Sequence, residues 1–132
     1  MAPNNKVVHL TKRDFLRQIL YAASNAATSI ETEEKKHVHL YYRGNTFSQT
    51  GDWAVLSDDR SEIVPLSLYD IYYELKSNDV KIAMCITIDA PCSGKWAIQM
   101  RDMIHQCNDV FTNIVIAASC GPNGQSDWFV NV

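Results

Sequence analysis

Cys92 has the most reactive chemistry to offer. It stands in the segment Asp89-Ala90-Pro91-Cys92-Ser93-Gly94-Lys95, directly after an apolar run and at the start of a helical pattern. A thiol at a helix N-terminus beside a lysine is shifted toward the nucleophilic thiolate. Peptide hydrolysis through such a thiol also needs an imidazole within hydrogen-bond reach, to take the proton and return it. The sequence supplies no evident partner. His9 stands near the end of one strand-like run, His39 lies inside another, and His105 follows Cys92 by about three helical turns. The same helix start offers a second chemistry, because backbone N–H groups and the Lys95 ammonium at Ser93 to Lys95 are the elements of an anion site. A nucleotide P-loop does not fit, since its pattern needs glycine where Asp89 stands and serine or threonine where Trp96 stands. Asp89 would also repel phosphate. His37 and His39 form the one close pair of metal-capable side chains, and they read as same-face residues of a strand; neither metal nor cofactor is expected.

These residues must be positioned by alternating strands and helices. Val7 to Leu10 reads as a short strand, and Thr11 with Asp14 three residues on forms a capping signature. Phe15, Ile19, Ala23, Ala26 and Ile30, widened by Leu16, Leu20 and Ala27, then give one apolar helix face, ended by the charged run Glu31 to Lys36. His37 to Tyr42 is β-prone and leads into the loop Arg43-Gly44-Asn45. Trp53 to Ser57 and Glu62 to Pro65 read as a hairpin about Asp58 to Ser61. Ser67 with Asp70 repeats the cap before the helical spacing of Leu68, Ile71, Tyr72 and Leu75. Val80 to Ile88 is apolar almost throughout, which predicts a strand covered on both faces. Lys95 to Cys107 has helical spacing, Asn113 to Ser119 reads as a second buried strand, and Trp128 to Val132 as an edge strand. This alternation predicts an open, mainly parallel sheet. Sites in such sheets form at the carboxyl ends of strands, here the loops Arg43 to Ser48, Asp89 to Lys95 and Cys120 to Asp127.

Composition narrows the classes. A chain of 132 residues, 46% apolar, is the size of one domain with one core, spanning residues 1–132. Its formal net charge of −3 gives no electrostatic reason to expect nucleic acid or an anionic membrane as partner. No segment approaches the roughly 18 to 20 apolar residues that span a bilayer, and Met1 to Lys6 lacks the apolar run of a signal peptide, so a cytoplasmic protein is expected. Cys85, Cys92, Cys107 and Cys120 form no C-x-x-C pair and read as reduced thiols. Tyr69 and Tyr73 share a helix face, where core packing is the plainer reading and an anchor for a partner the sharper one.

Two segments resemble a known family. HLYYRGNTFSQTGDW is similar to the stretch of caspases, metacaspases and related peptidases that usually reads YSGHGS, in which the histidine is the general base. ITIDAPCSGKW is similar to the later stretch D-A/S-C-H/Q-S/A-G, in which the cysteine is the nucleophile. The elements also follow the family's order from Val7 to about Phe129. The resemblance implies a three-layer α/β/α caspase-like fold with a mostly parallel sheet, truncated at the N-terminus because only six residues precede Val7. Residue by residue, Tyr42, Gly44, Asp89, Ala90, Ser93 and Gly94 match, but Asn45 takes the histidine position and Pro91 the cysteine position, with Cys92 one place on. An amide does not titrate near neutral pH and proline offers no nucleophile.

The resemblance therefore implies a catalytically inactive pseudo-peptidase that binds a protein partner or a second copy through a sheet edge, in cell death or defence signalling. Arg43, Gly44, Asp89, Ser93, Gly94 and Lys95 are its candidate binding residues. Two alternatives stand beside it: a cysteine peptidase using Cys92 as a displaced nucleophile, and an anion-binding module at Ser93 to Lys95.

Overall fold

The computed structural model describes residues 10–29, 36–124 and 130–131. Helix α1 (Lys12–Ala27) starts at the expected capping box: the Thr11 hydroxyl accepts from the Asp14 N–H at 3.2 Å, and the Asp14 carboxylate accepts from the Thr11 N–H at 3.3 Å. Helix α2 (Leu68–Ser77) starts the same way, with Ser67 and Asp70 exchanging bonds of 3.1 and 2.8 Å. Each box supplies partners for N–H groups that a helix start leaves open, an effect of about 1 kcal/mol. Helix α3 (Gly94–Met103) is built differently. Ser93 is itself helical in backbone and caps nothing with its side chain.

Strands β1 (His37–Arg43), β4 (Ile82–Asp89) and β5 (Phe111–Ala118) form a parallel sheet in the order β1-β4-β5, and β6 (Val130–Asn131) joins β5 antiparallel at Ala117 and Ala118. A separate antiparallel hairpin, β2 (Trp53–Leu56) with β3 (Ile63–Leu66), follows the β1 loop. It lies one residue from its expected place on the second strand. Val7 to Val8 and His9, the body of the strand expected at the start of the chain, lie outside the described residues, as do Trp128, Phe129 and Val132; Leu10 is not in a strand. Helix α3 ends at Met103 rather than Cys107, where successive turns through Val110 return the chain to β5.

The three helices share one face of the sheet. Phe15 of α1 meets Tyr42 of β1 with ring centroids 6.4 Å apart, and Tyr72 of α2 meets Phe111 of β5 at 6.3 Å. Trp96 of α3 reaches Tyr42 through Trp53 of β2: Tyr42 and Trp53 stack at 4.2 Å and 4°, Trp53 and Trp96 at 4.4 Å and 3°. On β4 the side chains on this face, Ile82, Met84, Ile86 and Ile88, are all buried, while Ala83, Cys85, Thr87 and Asp89 on the other are only half-buried. Among the described residues no helix covers that second face, where His37, His39, Tyr41 and Val115 stand exposed. Among the described residues the sheet therefore carries one helix layer, where a layer on each face was expected. Small residues at alternate positions of the β4 run make it uniformly apolar in sequence without requiring a cover on both sides.

The stacked indole of Trp96 is wholly buried. Trp96→Ala is expected to lower the unfolding free energy by about 3–5 kcal/mol. The exposed Tyr21→Ala control is expected to change it by less than about 0.5 kcal/mol. Urea denaturation of both variants checks this.

Candidate functional site

Parallel pairing in register carries β1 and β4 out of the sheet together. The last pair is Arg43 with Asp89, whose charged groups lie 3.7 Å apart; the Tyr41 hydroxyl also reaches the Asp89 carboxylate at 3.4 Å. Beyond that pair the chains turn into the two loops that hold Asn45 and Pro91, and the Thr46 hydroxyl donates to the Pro91 carbonyl. The two positions that carry the resemblance are thus brought together. Both side chains are exposed, and they present an amide and a pyrrolidine ring.

Asn45 is held through its backbone, whose carbonyl accepts from the Tyr42 hydroxyl at 2.6 Å and from the Ala54 N–H at 3.0 Å. Gly44 permits this return of the Tyr42 phenol. A Cβ there would lie 2.8 Å from the phenol oxygen.

The Cys92 loop is closed against its neighbours. Cys92 has a left-handed backbone with φ 59, its N–H donates to the Gly124 carbonyl at 3.1 Å, and its carbonyl accepts from the Lys95 N–H at 3.1 Å. Its N–H is therefore engaged and does not point at a developing oxyanion. Ser93 is wholly buried, and its hydroxyl accepts from the Cys120 N–H at 3.3 Å and lies 3.4 Å from the Cys120 sulfur. Gly94 lets the first turn of α3 meet the loop after β5, since a Cβ there would come within 2.9 Å of the Gly121 backbone. The Lys95 ammonium donates to the carbonyls of Ser48 and Gln49, and the Gln99 amide donates to the Thr50 carbonyl at 2.8 Å. Gly51, at φ +76, packs where a Cβ would be 2.6 Å from that of Lys95.

An anion cradle at Ser93 to Lys95 is accordingly not presented. The Ser93 hydroxyl is enclosed and the Lys95 ammonium donates to the carbonyls of Ser48 and Gln49, so neither side chain is presented to an anion. Arg43, Gly44 and Asp89 do gather at the strand ends as expected, with Arg43 on the solvent side.

The thiols are distributed in an order that sequence reasoning missed. Cys120 is buried among the Ser93 hydroxyl and the carbonyls of Ala90 and Gly124. Cys107 is buried, and burial pushes its thiol pKa up, with the Asp109 carboxylate adding to the effect. Cys92 is half-buried and its sulfur has no imidazole contact among the described residues. The thiol that meets an imidazole is Cys85, whose sulfur lies 3.8 Å from Nε2 of His39. The signal that could have found it is the strand register, which is not written in either strand alone. His37 and His39 share a face as expected, and no group of three or more His, Cys, Asp or Glu side chains among the described residues could hold a metal. Tyr69 and Tyr73 are exposed with stacked rings 6.2 Å apart, not core, whereas Tyr72 between them is buried.

With this geometry in place, the chain is a mixed α/β protein built on a mainly parallel sheet. No family model matches it, and no curated protein does. A crystal structure of Raptor from Chaetomium thermophilum is similar in fold, with a TM-score of 0.66 over 89% of this chain at 13% sequence identity. The chain spans about 10% of the Raptor chain, so the shared arrangement is one part of that larger protein. Among the described residues no helix is long and apolar enough to cross a membrane.

Burial pushes the Tyr42 phenol from an ordinary 10.0 up to about 12, opposed in part by the neighbouring Ala54 backbone. The folded chain then keeps this proton at pH values where the unfolded chain has lost it. The stability contributed is complete below pH 10.0 and is lost as pH rises toward about 12. Urea unfolding on either side of this window is expected to show the unmodified chain losing stability relative to Tyr42→Phe as the pH rises.

Proposed function

We propose that this chain keeps the parallel sheet and one helix layer of a caspase-like fold from which peptide hydrolysis has been lost, and that it acts as a protein-binding module. The observation that carries the reading is the meeting of the two strand-end loops at Thr46 and Pro91. The topology brings together the positions that resemble a catalytic dyad, and they hold Asn45 and Pro91. A thiol route needs a sulfur and a proton acceptor in contact, so this pair of loops offers a surface without a reaction.

Binding through a sheet edge is supported by two features of β5. Its outer side from Phe111 to Ile116 has no strand partner among the described residues, because β6 pairs only with Ala117 and Ala118. Beside that edge lies a mainly apolar groove of about 500 Å³ between α3 and β5, lined by Ala97, Ile98, Met100, Ile104, Ile114 and Ile116 together with Arg101. An added strand gains main-chain hydrogen bonds from such an edge and specificity from the groove beside it. A protein partner or a second copy of the chain would supply the strand. The family resemblance puts the setting in cell death or defence signalling.

A second reading keeps Cys92 as a displaced nucleophile. Its left-handed backbone favours it, since strained residues cluster at functional sites. Steady-state hydrolysis of a broad library of fluorogenic peptides separates the two. The unmodified chain is expected to show no turnover above the blank, and Cys92→Ala to behave identically. Turnover that disappears in Cys92→Ala would establish the second reading and reject the first.

A further inference from the structure

The open face of the sheet carries a cluster that neither the strand-end loops nor the β5 edge uses. Cys85 and His39 are register partners on adjacent parallel strands, so both side chains project from the same face. The Cys85 sulfur lies 3.8 Å from His39 Nε2, and that nitrogen lies 2.9 Å from the Thr87 hydroxyl. The surroundings are small or uncharged. Ala83 and Thr87 flank Cys85 along β4, and Val115 is its register partner on β5. All three helices pack against the opposite face, so a small reagent has an approach from the open side.

We propose that Cys85, activated by His39, is a reactive thiol that exchanges with low-molecular-weight disulfides. The inference is independent of the proposed function, which involves neither residue. In the exchange, the Cys85 S–H proton passes to His39 Nε2 and the thiolate attacks one sulfur of the disulfide. A new S–S bond to Cys85 forms as the reagent's own S–S bond breaks. The departing thiolate takes the proton from the imidazolium. Cys85 ends oxidised in a mixed disulfide, and half of the reagent ends reduced as a free thiol, so no further oxidant is required.

The other thiols are less suited to this reaction. Cys107 and Cys120 are buried, and the Cys120 sulfur is already engaged with polar neighbours. Cys92 is half-buried, as Cys85 is, but lacks an imidazole contact among the described residues, which makes it the internal control. The titratable and charged groups sharing the face with His39 are His37, Tyr41 and Arg43 on β1 and Asp89 on β4. On β5 the facing residues Asn113, Val115 and Ala117 do not titrate.

The experiment treats the whole chain with a chromogenic aromatic disulfide in less than equimolar amount and locates the label by peptide mass spectrometry. Cys85 is expected to react first. His39→Gln, at an exposed position, is expected to slow Cys85 labelling by about tenfold or more near neutral pH. Cys92 labelling and the melting temperature are expected to stay unchanged in that variant. Cys85 reacting more slowly than Cys92, or at an unchanged rate in His39→Gln, would overturn the proposal.

Discussion

Three stacked rings, Tyr42, Trp53 and Trp96, tie together elements that the sequence keeps far apart. Tyr42 comes from the end of β1, Trp53 from the start of the hairpin and Trp96 from the first turn of α3. Offset aromatic contacts contribute about 0.5–1.5 kcal/mol per pair beyond the area they bury. The larger effect is geometric. Tyr42 immediately precedes the loop of Asn45, and Trp96 closely follows the loop of Cys92, so the stack sets how both loops leave the sheet. The Lys95 and Gln99 side chains then fasten α3 to the turn at Ser48 to Thr50.

That closure bears on chemistry. A site for amide hydrolysis needs room for the scissile carbonyl, N–H donors aimed at its oxygen, and a nucleophile with its base. At these strand ends the Cys92 N–H is directed to Gly124, the Ser93 hydroxyl to Cys120, and the Tyr42 hydroxyl to the Asn45 carbonyl. The first two bonds hold the loop after β4 to the loop after β5, and the third braces the loop after β1 on itself. On the proposed reading, the amide of Asn45, the ring of Pro91 and the bracing of the loops leave a surface kept for its shape.

Much of the fold was legible because it is written locally. Thr11 with Asp14 and Ser67 with Asp70 announced two helix starts, and both formed reciprocal caps. The hairpin about Asp58 to Ser61 and the order of strands and helices followed from turn residues and apolar period. What required the structure was every relation across strands. The β4 run looked fit for burial on both faces, yet Ala83, Cys85 and Thr87 are small enough to stand on a face that no helix covers among the described residues. The partnership of Cys85 with His39 depends on the register of two strands, which neither strand specifies alone. Ser93 and Lys95 looked like free donors because sequence shows a residue's capacity and not its partners. Tyr69 and Tyr73 looked like core because aromatic residues at helical spacing usually are; the buried ring is Tyr72, on the stripe with Leu68 and Leu75.

The central claim is that the strand-end loops are fastened to one another and open only when the fold does. Native-state amide hydrogen exchange read by NMR tests it most directly, because exchange separates local opening from global unfolding. The amides of Cys92, bonded to Gly124, and of Ala54, bonded to Asn45, are predicted to be protected to nearly the same degree as those of β4. Rates at these two amides approaching those of an unstructured chain, with β4 still protected, would contradict the account and reveal a cleft that opens on its own.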